Sequence, residues 1–132
     1  MVQQAAAIPF CRRDEGVYVC LIRRRDSRYW SIPKGFIDPG DTREETALNE
    51  AWEEAGLRGT LVGEAIGTYQ YVKFRSKLTV AVYVMEVHAE ESDWQEARLR
   101  ERRWHPIEEA MTLLEGHPVH PLLARAIAIV QR

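Results

Sequence analysis

The chain lacks the features that mark several protein classes. No apolar run in its 132 residues approaches the roughly 18 that a membrane-spanning helix requires, so we expect no membrane partner. The formal net charge is −2, and no basic excess indicates binding to a nucleic-acid polymer. The N-terminal segment, MVQQAAAIPF, has no basic start followed by a long apolar stretch, so no secretory signal is expected.

Cysteine is also scarce. Cys11 and Cys20 do not have the spacing of a metal site, and the four histidines form no zinc-type set with them. Two thiols in a chain of this size are typical of a reducing compartment, so we expect a cytoplasmic location. A length of 132 residues with 45% hydrophobic content predicts a single domain, 1–132, that buries a core of its own.

Acidic residues, by contrast, are concentrated in one segment. Residues 38–54 contain seven acidic residues and one arginine, a net charge of −6, while the rest of the chain has 17 basic and 13 acidic residues. Glu50, Glu53 and Glu54 stand at i, i+3 and i+4, so a helix would place them on one face. Each like-charged pair at this spacing costs about 0.2–0.5 kcal/mol, which indicates a bound cation. Oxygen ligands favour Mg²⁺ or Mn²⁺ over zinc.

The apolar pattern predicts several strands. Strands are predicted at 5–10 and 17–23, with one or two more in 60–72. Residues 78–87 are nearly all apolar and rich in β-branched side chains, which is typical of a central strand covered on both faces. Residues 26–40 and the polar residues 88–101 are predicted as loops, and Trp104 as the start of a short strand.

Helices are predicted around these strands. The first should begin near Asp41 or Thr42, because Thr42 and Glu45 have the spacing of a capping box, and Gly56 is placed to end it. Two further helices are predicted at 106–115 and 121–130. Strands with helices before and after them indicate an α/β protein in which a sheet lies between helices.

The acidic segment resembles the Nudix box, the 23-residue signature of the Nudix hydrolases. Seven of its nine fixed positions match, at Gly35, Glu50, Ala51, Glu53, Glu54, Gly56 and Leu57. Asp41 stands where the family has Glu, and Asn49 where it has Arg. Residues 30–34, WSIPK, and the later Arg-Trp pair at 103–104 also look like this family. The resemblance implies an α/β/α sandwich with a mixed sheet and metal-dependent cleavage of a diphosphate linkage.

The resemblance also implies roles for the box residues. Glu50 and Glu54 are the expected metal ligands, completed by the carbonyl of Gly35, and Glu53 is the expected catalytic base. The glutamate that acts as base varies within the family, so another assignment stays open. A loop acid contributed by many family members would be Glu101 or Glu96.

Basic residues flank the box and are candidates for binding the substrate. Lys34 adjoins Gly35 and should lie close to the metal, and Arg24 and Arg25 are the other candidates. Asn49 can hydrogen-bond a carboxylate but has no charge, so we expect the glutamates to be held less firmly than in the family. The alternative is that another cation, such as Arg43 or Lys34, supplies that charge.

The expected function is therefore a metal-dependent pyrophosphohydrolase acting on a small phosphorylated substrate of the nucleoside-diphosphate type. The WSIPKGFIDPGD stretch looks most like the branch that acts on dinucleoside polyphosphates or diphosphoinositol polyphosphates. One alternative is a Nudix-fold binding or regulatory module with weak or no turnover. Another is a hydrolase of damaged nucleoside triphosphates, which activity on mononucleotides would reveal.

Overall fold

The computed structural model describes residues 1–131 of the chain. These residues form six strands and three helices in the following order: β1 (Gln4–Arg13), β2 (Gly16–Arg24), β3 (Lys34–Phe36), α1 (Arg43–Ala55), β4 (Leu57–Lys73), β5 (Ser76–Glu90), β6 (Arg100–Pro106), α2 (Ile107–Leu113) and α3 (His120–Val130).

The six strands form one mixed sheet. Its neighbours follow the order β4-β5-β1-β2-β6, and β3 pairs with the beginning of β1. Strand β1 runs parallel to β5 but antiparallel to both β2 and β3. The pairing with β2 involves the end of β1, so its beginning is free to pair with β3, where Gly35 lies opposite Ala5. The short β3 is thereby held against the middle of the sheet.

Helices cover both faces of this sheet, which confirms the expected α/β/α sandwich. Side chains of β1 alternate between the two faces, as a strand requires. Ala5 and Ala7 pack in a core with α1, whereas Ala6, Ile8 and Phe10 pack in a second core with α2 and α3. Because both faces are covered, strand β5 is buried without interruption from Val80 to Met85, as its apolar run predicts.

Helix α1 begins and ends as the sequence predicts. Thr42 is its N-cap, and the reciprocal hydrogen bonds of a capping box join Thr42 and Glu45. Gly56 ends the helix in the left-handed conformation at φ 66°, which a residue with a Cβ adopts only with strain. Ala47 and Ala51 are fully buried, and these small side chains let the helix lie close to the sheet.

The structure corrects two strand predictions and decides a third. Residues 34–36, expected within a loop, form β3, and they are too few and too rich in turn-type neighbours to show a strand pattern. Strand β6 begins at Arg100, four residues before the expected start at Trp104. The sequence leaves open whether residues 60–72 form one strand or two. The structure has one strand, β4, from Leu57 to Lys73, and its pairing with β5 is irregular between Val62 and Gly67. None of the helices within residues 1–131 is long and apolar enough to cross a membrane.

Candidate active site

Helix α1 and strand β3 bring the box residues together. Glu54 is buried, with 7% of its surface exposed, while Glu50 and Glu53 are half-buried. The backbone N–H of Lys34 donates a hydrogen bond to Glu54 Oε1 over 3.1 Å. This bond joins the end of the helix to β3 and fixes one oxygen of the Glu54 carboxyl group.

Gly35 leaves room for the close approach of Glu50. A Cβ atom built at Gly35 would lie 2.2 Å from Glu50 Oε1 and 2.3 Å from its Cδ. Such distances are far below any real contact, so the Glu50 carboxyl group occupies the space that a side chain at position 35 would need. The first glycine of the box is therefore fixed by packing rather than by backbone conformation, and its main chain lies directly beside a carboxyl group.

The crowded carboxyl groups disfavour their own ionisation. Burial, together with the charges of Glu54 and Glu53, raises the pKa of Glu50 to about 8. Burial also raises the pKa of Glu54, although the Arg100 guanidinium and the Lys34 amide act in the opposite direction. A carboxyl group whose pKa is raised above neutral pH lies among other negative charges, so a bound cation at that place would be favourable.

Arg100 is the side-chain cation that meets a box glutamate. Its Nη2 lies 3.3 Å from Glu54 Oε2, and its Nε donates to Glu96 Oε1 over 2.7 Å. Sequence reasoning missed this residue, because Arg100 lies at the end of a polar segment with no motif. Only the pairing of β6 with β2, opposite Arg24, brings it to the helix.

The segment before β6 is bound to the end of α1 rather than forming a free loop. The last carbonyls of a helix have no partner within the helix itself. Here the carbonyls of residues 53 to 56 all accept hydrogen bonds from this segment or from β6. The carbonyl of Glu53 accepts from the backbone of Glu96, and that of Glu54 accepts from the Trp94 indole. The carbonyl of Ala55 accepts from Arg102, and that of Gly56 accepts from the backbone of Glu91. The segment thereby places Glu96 and Arg100 beside the glutamates.

The two candidates for a loop acid are placed differently. Glu101 lies on β6 with both carboxyl oxygens in use, Oε1 with Arg23 and Oε2 with Arg103. Glu96 lies next to the box, because its backbone N–H donates to the carbonyl of Glu53. The geometry therefore favours Glu96 over Glu101 as an acid of this site.

The basic candidates also differ in placement. The Nζ of Lys34 donates to the Tyr71 hydroxyl over 3.1 Å, and that hydroxyl donates to Gln4 over 2.7 Å. Arg24 is paired with Asp26, and Arg25 donates to the carbonyl of residue 97, both at exposed positions. The backbone of Lys34 thus adjoins Glu54, and the substrate role of Lys34, Arg24 and Arg25 stays a prediction.

Asn49 does not contact the glutamates through a hydrogen bond. It is exposed, and its side chain makes no hydrogen bond within residues 1–131. In the same part of the chain, the side chain of Arg43 forms no ion pair, and Lys34 reaches Glu54 through its backbone only. Neither of the two alternative cations expected from the sequence therefore compensates for Asn49; the contact is made by Arg100.

Comparison with known proteins places these features in context. The sequence model of the NUDIX domain matches residues 1–126. Diphosphoinositol polyphosphate phosphohydrolase 3-alpha of Mus musculus and 3-beta of Homo sapiens are each 34% identical over 112 residues, 83% of this chain and 66% of each relative. The chain thus spans just under two thirds of the length of these curated relatives. The binary complex of the C. elegans Ap4A hydrolase has the same fold, with a TM-score of 0.84 at 20% identity over 99% of this chain and 98% of that one.

Proposed function

The chain belongs to the Nudix family, and we propose that it is a metal-dependent pyrophosphohydrolase that cleaves a diphosphate linkage in a small, nucleoside-diphosphate-type substrate. The observation that carries this proposal is the contact of the Glu50 carboxyl group with the backbone of Gly35, next to Glu54. Like charges at this spacing on a helix destabilise it by about 0.2–0.5 kcal/mol per pair, so a cation bound at this face would be favourable. We also propose a cytoplasmic location.

The donor set fits Mg²⁺ or Mn²⁺. We propose that Glu50, Glu54 and the carbonyl of Gly35 hold the ion, since carboxylate and carbonyl oxygens are the ligands that these ions prefer. Within residues 1–131 no group of three His, Cys, Asp or Glu side chains has the arrangement of a ready ligand set. Water and phosphate oxygens would therefore complete the shell, as is usual for Mg²⁺. The bound ion would neutralise charge on the diphosphate and acidify a water molecule.

Glu53 is the proposed base. Its side chain is half-buried and forms no ion pair in the described part of the chain, so its carboxylate is free to accept a proton from water. Its position on the helix is fixed, because its carbonyl accepts a hydrogen bond from Glu96. Glu50 and Glu54, in contrast, are taken up by the contacts with Gly35 and Lys34.

Lys34, with Arg24 and Arg25, is proposed to bind the phosphates of the substrate. The Nζ of Lys34 lies 4.7 Å from the centre of the Tyr71 ring and is held by its hydroxyl, while the backbone N–H of the same residue binds Glu54. Arg24 and Arg25 would have to leave their present partners. That exchange is cheap, because exposed ion pairs contribute only about 0–1 kcal/mol.

The engagement of Arg23 and Arg100 in ion pairs favours a dinucleoside polyphosphate as substrate. A diphosphoinositol polyphosphate has phosphates around a whole ring and calls for many basic side chains. Arg23 is instead paired with Glu101, and Arg100 with Glu54 and Glu96, in part-buried ion pairs that are not free for such a ligand. The diphosphoinositol polyphosphates stay the second candidate, because the relatives described above are named as phosphohydrolases of these compounds.

A cavity lined in part by aromatic side chains supports the same choice. It has a volume of about 450 Å³ and is lined by Tyr29, Trp30 and His117, among others. His117 meets the Tyr69 ring edge-on at 5.6 Å, and Tyr69 in turn adjoins the Tyr71 that holds Lys34. An aromatic cavity of this size suits a planar base, which would lie next to the phosphate-binding lysine.

A substrate screen tests the proposal. Purified protein is incubated with Mg²⁺ or Mn²⁺ and with dinucleoside polyphosphates, diphosphoinositol polyphosphates, nucleoside triphosphates and nucleotide sugars, and the products are separated by ion-exchange chromatography. We expect metal-dependent cleavage of a dinucleoside polyphosphate, and Glu53→Gln serves as the matched inactive control. Binding of a substrate without any turnover would instead support the alternative of a binding or regulatory module with the Nudix fold.

A further inference from the structure

Helix α1 has no cation of its own at the candidate site. Asn49 is neutral and exposed, and the last turn of the helix contains no basic residue. Three glutamates on one face, next to a helix C-terminus with its partial negative charge, are therefore unbalanced within the helix. The balancing charge must come from another element.

Strand β6 supplies that charge through Arg100. Its guanidinium group contacts acids from two elements at once, Glu54 on α1 at 3.3 Å and Glu96 in the preceding segment at 2.7 Å. The side chain of Arg100 is 19% exposed and that of Glu54 is 10% exposed, so solvent screens their attraction only weakly. The planar fork of a guanidinium group presents separate nitrogens to the two carboxylates, whereas the ammonium group of a lysine is a single point of charge.

The position of Arg100 is itself fixed by the backbone. Its N–H donates to the carbonyl of Glu96, and the residue is the first of β6, in register with Arg24 on β2. The segment that carries Glu96 is bound in turn to the last carbonyls of α1. The guanidinium group is thus held from both sides and does not depend on a flexible loop.

The result is a Glu54 carboxyl group with both oxygens fixed. Oε1 accepts from the Lys34 N–H, and Oε2 accepts from Arg100. Each carboxylate oxygen can accept two bonds, so each still has a free lone pair. These two contacts set the plane of the carboxylate and determine where its remaining lone pairs point.

We propose that Arg100 is a positioning residue of this site, supplying from β6 the positive charge that Asn49 does not supply from α1. It acts through Glu54 and Glu96 and does not touch the substrate. The inference rests on the proposed function, because a positioned Glu54 matters here as a metal ligand. Partners that orient metal ligands typically contribute 10–100-fold to metal affinity or activity.

The test compares Arg100→Gln and Arg100→Lys with wild type. Mn²⁺ affinity is measured by the electron paramagnetic resonance signal of free Mn²⁺, together with kcat, KM and thermal melts. We expect Arg100→Gln to bind Mn²⁺ roughly 10–100-fold more weakly and to lose kcat while KM changes little. The matched control is Arg103→Gln, an arginine of the same strand whose partner is Glu101, and it should leave the Mn²⁺ affinity unchanged.

Each outcome decides the inference. Arg100→Gln that folds and binds Mn²⁺ as wild type does would overturn it. If Arg100→Gln does not fold, Arg100→Lys decides, because it keeps the charge but loses the planar fork whose separate nitrogens reach the two acids. Weaker Mn²⁺ binding by a folded Arg100→Lys supports the inference, and unchanged binding overturns it. A wild-type protein that binds no Mn²⁺ overturns the proposed function as well, which distinguishes the two failures.

Discussion

Gly35→Ala isolates the contact between the Glu50 carboxyl group and the backbone of β3. The three atoms nearest to an added Cβ all belong to that carboxyl group, at 2.2, 2.3 and 2.8 Å, whereas ordinary contacts begin at 3.4 Å. The nearest oxygen must therefore move by about 1.2 Å, the difference between 3.4 and 2.2 Å. Because it is the far end of a flexible, half-buried side chain, the carboxyl group can move without shifting the helix or the sheet.

The effect on function should be large and the effect on stability small. A displacement on the order of 1 Å in a catalytic group can lower a rate about a hundredfold, or about 2.7 kcal/mol of transition-state stabilisation. Gly35 is not among the glycines with positive φ, so its backbone accepts alanine. Gly→Ala at such a position stabilises by about 0.4–1 kcal/mol, which offsets part of the strain of moving Glu50.

The assay is kcat at saturating Mg²⁺, together with the rise in melting temperature that Mg²⁺ produces. Gly35→Ala should lose about two orders of magnitude in kcat and most of the metal-induced rise, with a metal-free melting temperature near that of wild type. Glu50→Ala is the matched background, because it removes the atoms that the new Cβ would meet. In the Glu50→Ala background, Gly35→Ala should cause no further change in kcat or in the metal-induced rise in melting temperature. Wild-type kcat in the folded single variant would refute the reasoning.

Further predictions concern single residues around this contact. Metal should raise the melting temperature of the wild type, since it binds the folded state, and Glu54→Gln should abolish that rise in a thermal melt. Glu53→Gln should lower kcat by roughly 10²–10⁴ while Mn²⁺ affinity is retained, and full activity would reassign the base. Asn49→Arg should leave kcat within about twofold of wild type, because Arg100 already holds a box glutamate; a marked increase would contradict this. The hydrogen bonds to Thr42 lower the pKa of Glu45 below its usual 4.5, so their contribution is present above that pH and is lost as pH falls through the lowered value. The difference in melting temperature between wild type and Glu45→Gln should therefore shrink in acid melts.

The features that the sequence predicts are those determined by neighbours along the chain. Thr42 and Glu45 cap the helix within one turn, and Gly56 ends it because its backbone adopts a left-handed conformation. The common face of the three glutamates follows from the period of the helix alone. The burial of β5 is predicted because a strand covered on both faces has to be apolar throughout.

The features that it does not predict depend on distant parts of the chain. Strand β3 exists because the beginning of β1 has a free edge, and nothing in Lys34–Phe36 itself indicates a strand. The segment before β6 reads as a polar loop, yet its backbone and the Trp94 indole satisfy the carbonyls at the end of α1. The pairing of β3 and the docking of the segment before β6 both depend on how distant elements pack together. A local sequence pattern does not predict that packing.

The box contains features of both kinds: those determined by neighbours along the chain and those determined by distant elements. Asn49 shows the difference. The positions of the carboxylates are fixed by the helix, so a change at Glu50 or Glu54 would remove a proposed metal ligand that no other element replaces. The balancing charge is under no such constraint, because electrostatic attraction depends on distance and burial and not on the element that carries the charge. Arg100 meets Glu54 from β6 at 3.3 Å in a position largely shielded from water. The loss of an arginine from the box therefore predicts a relocated cation, and not by itself a weak site.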